Sequence, residues 1–205
     1  MLPSHPAVIA AIVLAAGAST RMGRQKLTLP MRDGRPLVRL AVEQVLGAGL
    51  DDVVVVTGRD AEAVALALAP LPVRTVVNPR YAEGQSTSLR AGLDALRPGT
   101  DAAVVALGDQ PLPDPDIIRR LVAAFRTASR PIVVPVYRNG RGTPVLFASV
   151  LFGELRAVTG DRGGREVIAR DPTRVAEVPI DLPMPADIDT PQDYEAARRT
   201  GEPRA

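Results

Sequence analysis

The sequence predicts an α/β fold, a Rossmann-like and mostly parallel sheet with helices on both faces. Apolar runs of strand length alternate with segments of helical periodicity along most of the chain. Several of these runs are apolar at consecutive positions, which is typical of strands buried on both faces. A chain of 205 residues that is 46% hydrophobic can bury one sizeable core. We therefore expect a single domain over residues 1–205, with loose termini at 1–7 and 200–205.

The first half of the chain is predicted to contain four buried strands. They are Val8–Leu14, Asp52–Thr57, Val73–Val77 and Ala102–Leu107. A helix is expected from Pro36, because proline favours the first helical position and apolar residues then recur at helical spacing. Asp60 is a candidate cap for a helix to Ala69, and Ser86 or Ser88 for a helix through Leu96.

The second half continues the alternation less regularly. Asp114 and Pro115 form a cap and first-position pair for a helix to about Ser129. The remaining strands are predicted at Ile132–Tyr137, Thr143–Phe147 and Arg174–Pro179. The remaining helices are predicted from Phe147 or Ala148 to Ala157, at Arg165–Arg170 and from Pro191 to Arg199, with turns at Asn139-Gly140 and Gly160–Gly164.

The composition excludes several kinds of site. The chain has no cysteine, so disulfides, thiolate metal sites and cysteine nucleophiles are excluded, and a reducing compartment is permitted. The sole histidine, His5, lies among prolines near the start, which argues against a serine-histidine triad and a histidine-rich metal site. Hard oxygen ligands are the metal chemistry that remains, and we expect a cytoplasmic protein.

Neither a membrane segment nor a nucleic-acid surface is predicted. The apolar run Ala7–Ala18 is shorter than the roughly 20 residues that a membrane helix needs. A signal peptide is the alternative, but no lysine or arginine precedes the run. The net charge is only +2 and aromatic residues make up 3% of the chain, whereas nucleic-acid surfaces combine a basic face with stacking aromatics.

The segment Ile12–Pro30 is the strongest candidate site. The small residues in the run Leu14, Ala15, Ala16 and Gly17 let backbone N–H groups approach an anion. Hydroxyl groups follow at Ser19 and Thr20, and basic side chains follow at Arg21, Arg24 and Lys26. Lys26 is the only lysine among 25 basic residues. The segment is neither a Walker A loop nor a dinucleotide fingerprint, and an ordinary strand-to-helix turn with solvated arginines is the alternative.

Two unusual stretches leave the carboxyl ends of predicted strands. One follows Leu14, and the other, Gly108-Asp109, follows Leu107. Ligands of parallel α/β sheets bind at this edge. Magnesium needs only one or two carboxylates in addition to water and phosphate oxygens, so Asp109 is the first candidate metal ligand.

The stretch L-A-A-G-A-S-T-R-M-G-R-Q-K-L resembles the signature of the nucleotidyltransferases that include the molybdenum cofactor and sugar-phosphate enzymes. Further stretches resemble the molybdenum cofactor cytidylyltransferase branch, and the resemblance covers about residues 8–197. These stretches are Gly84–Leu89 with Gly92-Leu93, Gly108–Pro111, Gly160–Gly164 and Asp187–Tyr194.

The resemblance implies a nucleotide-diphospho-sugar transferase-like three-layer fold and a magnesium-dependent reaction. In that reaction a nucleoside monophosphate passes from CTP, or from GTP, to a phosphorylated acceptor such as molybdopterin, and pyrophosphate is released. A molybdoenzyme apoprotein is a further candidate partner. The implied residues are Lys26 and Arg21 on the triphosphate; Leu14–Gly17, Ser19, Gly84, Ser86 and Ser88 on the nucleotide; and Asp109 with Asp189 on the metal.

Several alternatives stay open. Asp187 competes with Asp189 as the second metal ligand, Ser86 and Ser88 either cap a helix or bind nucleotide, and helix capping is favoured for Thr190 and Asp193. Thr143 stands where the resembled branch usually has histidine in G-H-P-V-L-F, so the acceptor is open. The rival functions are a sugar- or alcohol-phosphate nucleotidyltransferase and a non-catalytic nucleotide- or cofactor-binding accessory protein. A nicotinamide-dependent dehydrogenase is disfavoured by the missing glycine fingerprint.

Overall fold

The computed structural model describes residues 7–17, 22–23, 25–110 and 114–200, and it confirms the predicted α/β class. The predicted loose termini therefore lie almost wholly outside the described residues. The strands are β1 Ile9–Ala15, β2 Asp52–Thr57, β3 Arg74–Val77, β4 Ala102–Leu107, β5 Ile132–Tyr137, β6 Gly140–Arg141, β7 Val145–Ala148 and β8 Val175–Pro179. The helices are α1 Leu37–Gly47, α2 Ala61–Leu68, α3 Gln85–Asp94, α4 Pro115–Thr127, α5 Phe152–Ala157, α6 Gly164–Arg170 and α7 Pro191–Thr200.

One sheet organises the described part of the molecule. Its strand order is β3-β2-β1-β4-β7-β5-β6, with β8 paired to β5. The strands β3, β2, β1 and β4 are parallel neighbours, and β7 is antiparallel to both β4 and β5. Leu14 of β1 lies opposite Val56 and Leu107 of the two adjacent strands. The carboxyl ends of β1, β2 and β4 therefore meet at one edge of the sheet.

Helices cover both faces of the sheet, which makes the three-layer sandwich. Ile9, Ala11 and Val13 of β1 pack in a core with residues of α1, α2 and α4. Ile12 faces the opposite core, which is formed with α3, α5 and α6. Because alternate residues of a strand point to opposite faces, a continuous apolar run fills both cores.

Two of the predicted helix caps are wrong. Gly84 is the residue that precedes α3, with no side-chain cap, so neither Ser86 nor Ser88 caps the helix. Asp60 does precede α2, but its carboxylate accepts a hydrogen bond from Gln25 Nε2 at 2.7 Å instead of from the helix. The cap at Asp114 is confirmed, because its side chain accepts from the Asp116 N–H at 2.8 Å.

The region after β5 also departs from the prediction. The predicted strand begins later, at Val145, and a short 3₁₀ turn separates β7 from α5. The predicted capping of α7 is confirmed: Asp193 Oδ2 accepts from the Thr190 N–H at 2.8 Å, and Thr190 Oγ1 accepts from the Asp193 N–H at 3.2 Å. None of the helices in the described ranges is long and apolar enough to cross a membrane.

Candidate functional site

A cavity of about 500 Å³ lies at the edge where β1 and β4 end. It is lined by Leu14, Ala16, Gly17, Lys26, Tyr81, Ala82, Gly84, Gln85, Ser88, Leu107, Asp109, Asp161, Arg165, Asp187 and Asp189. The wall therefore combines the loop after β1, the end of β4, the start of α3 and two segments from the last third of the chain. This is the place at which ligands bind to parallel α/β sheets.

Glycine allows close approach of the backbone at this edge. A Cβ atom on Gly58, which follows β2, would lie 2.5 Å from the Ala16 carbonyl oxygen. The Gly108 N–H donates to the Leu14 carbonyl at 2.9 Å. These contacts join the ends of the three strands and fix the path of the loop after β1 as it leaves the sheet.

Lys26 links the two predicted metal ligands. Its Nζ atom lies 2.7 Å from Asp109 Oδ2 and 2.8 Å from Asp189 Oδ1. The lysine side chain is only 8% exposed, whereas the carboxylates are 24% and 26% exposed. Residues that are far apart in sequence thus form one ionic cluster, in which a buried cation is held between two carboxylates that face the cavity.

The pKa of Lys26 is raised above its ordinary value. Burial acts to lower this pKa, because it disfavours the charged amine. The negative charges and hydrogen bonds of Asp109 and Asp189 act in the opposite direction and prevail. The side chain is therefore a protonated ammonium at neutral pH and can neutralise a phosphate group.

The donor set suits magnesium. Asp109 and Asp189 supply carboxylate oxygens at the cavity, which matches the one or two carboxylates that magnesium takes when phosphates and water complete its shell. Within the described ranges no group of three or more histidine, aspartate or glutamate side chains is placed to hold a metal ion. A cation that shares its ligands with a bound phosphate fits these residues better than a cage made of protein side chains alone.

The start of α3 carries a buried polar cluster. Asn78, 3% exposed, donates from Nδ2 to Thr87 Oγ1 at 2.9 Å and to Ser88 Oγ at 3.0 Å. Ser88 thus accepts a bond from the protein and retains its own O–H to donate into the cavity. Ser86 is buried and does not line the cavity. The helix start therefore presents one hydroxyl rather than the two predicted.

A loop from the second half of the chain packs on the same helix start. The Gln85 N–H donates to Asp161 Oδ1 at 3.3 Å. Gly84 has φ +110°, and a Cβ atom there would lie 2.6 Å from the carbonyl carbon of Gly160. Arg165 follows this loop and lines the cavity, and its guanidinium makes no hydrogen bond or ion pair with other described residues. Tyr81, Gln85 and Arg165 were not predicted as site residues, whereas Asp161 belongs to the stretch Gly160–Gly164, for which a turn alone and a contact with the acceptor were both left open.

The wall beside Asp187 is a hydrogen-bonded chain. Gln110, 6% exposed, donates from Nε2 to Asp187 Oδ1 at 2.9 Å. Gln110 Oε1 accepts from the Thr143 hydroxyl, and the Thr143 carbonyl accepts from the Tyr137 hydroxyl at 2.7 Å. Thr143, which replaces the histidine of the cytidylyltransferase pattern, is thus linked through Gln110 to Asp187 on the cavity wall.

The cavity brings most of the predicted residues together. Those on its wall are Leu14, Ala16, Gly17, Lys26, Gly84, Ser88, Asp109 and Asp189. Ala15 is in the core instead, where it packs with the residues of β1 that face α1. Ser19 and Arg21 lie outside the described residues, so their roles stay predictions. Asp187 also lines the cavity, but it bonds Gln110 whereas Asp189 bonds Lys26.

Comparison with known proteins agrees with this architecture. A family model described as a MobA-like NTP transferase domain matches residues 11–176. The chain belongs to this family. The match includes β1 from Ala11 onward with its loop, Lys26 and Asp109, whereas Asp187 and Asp189 lie beyond its end.

Relatives of this MobA-like domain carry different names. The purine catabolism protein PucB of Bacillus subtilis is 30% identical over 92% of the chain and 95% of its own length. The nicotine blue oxidoreductase of Paenarthrobacter nicotinovorans is 34% identical over 89% of the chain and 92% of its own length. A crystal structure of Rv0371c from Mycobacterium tuberculosis in complex with manganese is 32% identical, with a TM-score of 0.81 over 94% of this chain and 98% of that one.

Proposed function

We propose that this MobA-like domain transfers a nucleoside monophosphate from a nucleoside triphosphate to a phosphorylated acceptor and releases pyrophosphate. CTP is the favoured donor and GTP the alternative, and molybdopterin is the favoured acceptor, as the resembled branch implies. The observation that carries the proposal is the cluster of Lys26, Asp109 and Asp189 at the carboxyl end of the parallel strands.

The residues at the cavity have separable roles in this reaction. The backbone from Leu14 to Gly17 and the Ser88 hydroxyl bind the nucleotide, and the Lys26 ammonium neutralises triphosphate charge. Asp109 and Asp189 would hold magnesium, which would supply charge neutralisation at the triphosphate. Phosphoryl chemistry of this kind requires alignment and charge stabilisation more than a covalent nucleophile, which suits a chain without cysteine.

Arg21 and Ser19 complete the proposed nucleotide site. Both belong to the motif after β1, and a guanidinium and a hydroxyl are suitable donors for phosphate oxygens. The solved manganese complex of Rv0371c supports a divalent cation in a related protein, and we propose magnesium for this one. A cytoplasmic location, where such triphosphates are abundant, remains part of the proposal.

The names of the relatives keep the alternatives relevant. One relative is called an oxidoreductase and another a purine catabolism protein, so membership of the family does not by itself identify the reaction. A sugar- or alcohol-phosphate nucleotidyltransferase and an accessory protein that binds nucleotide or cofactor without turnover are the rivals. A molybdoenzyme apoprotein would be the partner in either molybdenum-related role.

A substrate screen separates these functions. CTP, GTP, ATP and UTP are each incubated with magnesium and either molybdopterin or a sugar phosphate, and pyrophosphate release is measured. We expect release with CTP or GTP and molybdopterin only. Release with a sugar phosphate supports the first rival, and tight nucleotide binding without pyrophosphate supports the second. A parallel assay with NADH and NADPH tests for oxidoreductase activity.

A further inference from the structure

Asp187 lines the cavity, but its hydrogen bond with Gln110 is not part of the proposed nucleotide and metal roles. The carboxylate accepts one hydrogen bond, from Gln110 Nε2 to Oδ1 at 2.9 Å. Its Oδ2 atom accepts none from the part of the chain that the structure describes. An ionised carboxylate is an acceptor only, so its remaining oxygen is suited to an N–H or O–H group of a ligand.

The orientation of Gln110 is determined at both ends of its amide. Its NH₂ group faces an acceptor, Asp187, and its oxygen accepts the hydroxyl of Thr143. Reversing the amide would place its oxygen against the carboxylate, which is unfavourable. Because Gln110 is only 6% exposed, a lost partner would leave a buried polar group unsatisfied.

Thr143 is itself held from the core. Its carbonyl accepts from the Tyr137 hydroxyl at 2.7 Å, and Tyr137 is 3% exposed on β5. A continuous chain of bonds therefore runs from a buried tyrosine through Thr143 and Gln110 to a carboxylate at the cavity. Such a chain holds the last group in one orientation.

We propose that Gln110 and Thr143 are positioning residues that hold Asp187 as the hydrogen-bond acceptor for N–H or O–H groups of the acceptor substrate. This inference rests on the proposed function and adds a chemical class to it. The part of the acceptor that contacts Asp187 carries hydrogen-bond donors and no negative charge. Asp189, which bonds the Lys26 ammonium instead, keeps the metal role.

Two substitutions at Thr143 test the chain of bonds, one that keeps the side-chain shape and one that keeps the hydroxyl. T143V removes the hydroxyl and T143S retains it. T100V is the matched control, since the Thr100 hydroxyl donates only to the Arg97 carbonyl at 2.8 Å and Thr100 does not line the cavity. Each variant is saturated with a non-hydrolysable CTP analogue and titrated calorimetrically with three probes: molybdopterin, glucose 1-phosphate and inorganic phosphate.

The wild-type protein is expected to bind at least one donor-bearing probe more tightly than inorganic phosphate. T143V should weaken that binding about tenfold, the usual effect of one hydrogen bond, whereas T143S and T100V should leave it unchanged. Binding of the nucleotide analogue and of Mn²⁺ should be the same in all variants. D187A, at an exposed position, should lose as much as T143V, and the double variant should lose no more than D187A.

The inference is overturned if T143V binds the probes as the wild type does, or if donor-bearing probes bind no better than inorganic phosphate. It is also overturned if D187A or T143V weakens Mn²⁺ binding, because Asp187 would then be a metal ligand. D187A keeps the test decisive if T143V folds poorly. Probe binding that depends on Thr143 without any pyrophosphate release would support the inference and reject the proposed transferase function.

Discussion

The Nζ atom of Lys26 lies 2.7 Å from Oδ2 of Asp109, although 83 positions separate them in the sequence. Lys26 lies in the loop after β1 and Asp109 follows β4. The two strands are adjacent and parallel, so both residues lie at the same edge of the sheet. The same ammonium contacts Asp189 at 2.8 Å. A cation that bridges two carboxylates at the cavity connects the fold to the proposed chemistry.

Replacing Lys26 with alanine should have opposite effects on turnover and on metal binding. Turnover should fall at least about 100-fold, because the triphosphate loses a buried positive charge. Mn²⁺ should bind more tightly without nucleotide, because the ammonium no longer competes for the carboxylates. Electron paramagnetic resonance of Mn²⁺ measures the second effect, with K26R as the charge-retaining control. Unchanged or weaker Mn²⁺ binding would contradict the shared site.

Asp109 and Asp101 flank β4 at opposite ends and form a matched pair of substitutions. D109N should reduce magnesium-dependent turnover at least about 100-fold, since the charge at the cavity is lost. D101N changes a carboxylate that accepts from the Val8 N–H at 2.9 Å, far from the cavity, and should leave kcat and KM near the wild-type values. Steady-state kinetics of the two folded variants measure this difference. Near-normal turnover in D109N would place the metal elsewhere.

Two helical glycines should respond differently to alanine. A Cβ atom on Gly92 of α3 would lie 2.4 Å from Ile12 Cγ2 in the sheet, so G92A should destabilise the protein by about 1–3 kcal/mol. Gly153 of α5 has no atom within 4 Å of that position, so G153A should be neutral or stabilise by up to about 1 kcal/mol. Urea unfolding measures both free energies. Equal effects would argue against the packing of α3 on β1.

Much of the fold follows from local sequence. The bounds of β2, β4 and β5 agree with the prediction, because consecutive apolar residues mark strands buried on both faces. The predicted start of α3 was wrong, because glycine is required at position 84 by a tertiary contact that the local sequence does not show. Gly84 packs against Gly160, and the anion at the helix start is Asp161, 76 residues from its Gln85 partner.

The candidate site likewise has one part that the local sequence predicts and another that depends on tertiary contacts. The edge that carries Lys26 and Asp109 was predictable, since both leave the carboxyl ends of neighbouring strands. The presence of Arg165 at the cavity was not predictable, because a lone arginine after a glycine-rich turn forms no recognisable sequence motif. The bond from Thr143 to Gln110 depends on β7 pairing between β4 and β5, which local periodicity does not specify.

Stability should fall at high pH because of Tyr137. Burial raises the pKa of its hydroxyl from 10.0 to about 12. The unfolded chain therefore loses this proton first as the pH rises. The protonated hydroxyl contributes fully to the free energy of unfolding below pH 10, and this contribution is lost between about pH 10 and 12. The loss is roughly 2–3 kcal/mol at about 1.4 kcal/mol per pKa unit.

Urea unfolding of the wild type and Y137F across that range checks this prediction. The free energy of unfolding of Y137F should decline less steeply with pH, because the variant lacks the titrating hydroxyl. Identical pH slopes for the two proteins would show that the hydroxyl does not titrate as described.

Nucleotidyl transfer is followed through the fate of the α-phosphate. CTP and GTP labelled at this phosphate are incubated with magnesium, molybdopterin and the purified protein, and the products are separated. We expect label from one of them to enter an adduct with the acceptor, in a one-to-one ratio with released pyrophosphate. Label that stays in the triphosphate, although the nucleotide binds, would contradict nucleotidyl transfer.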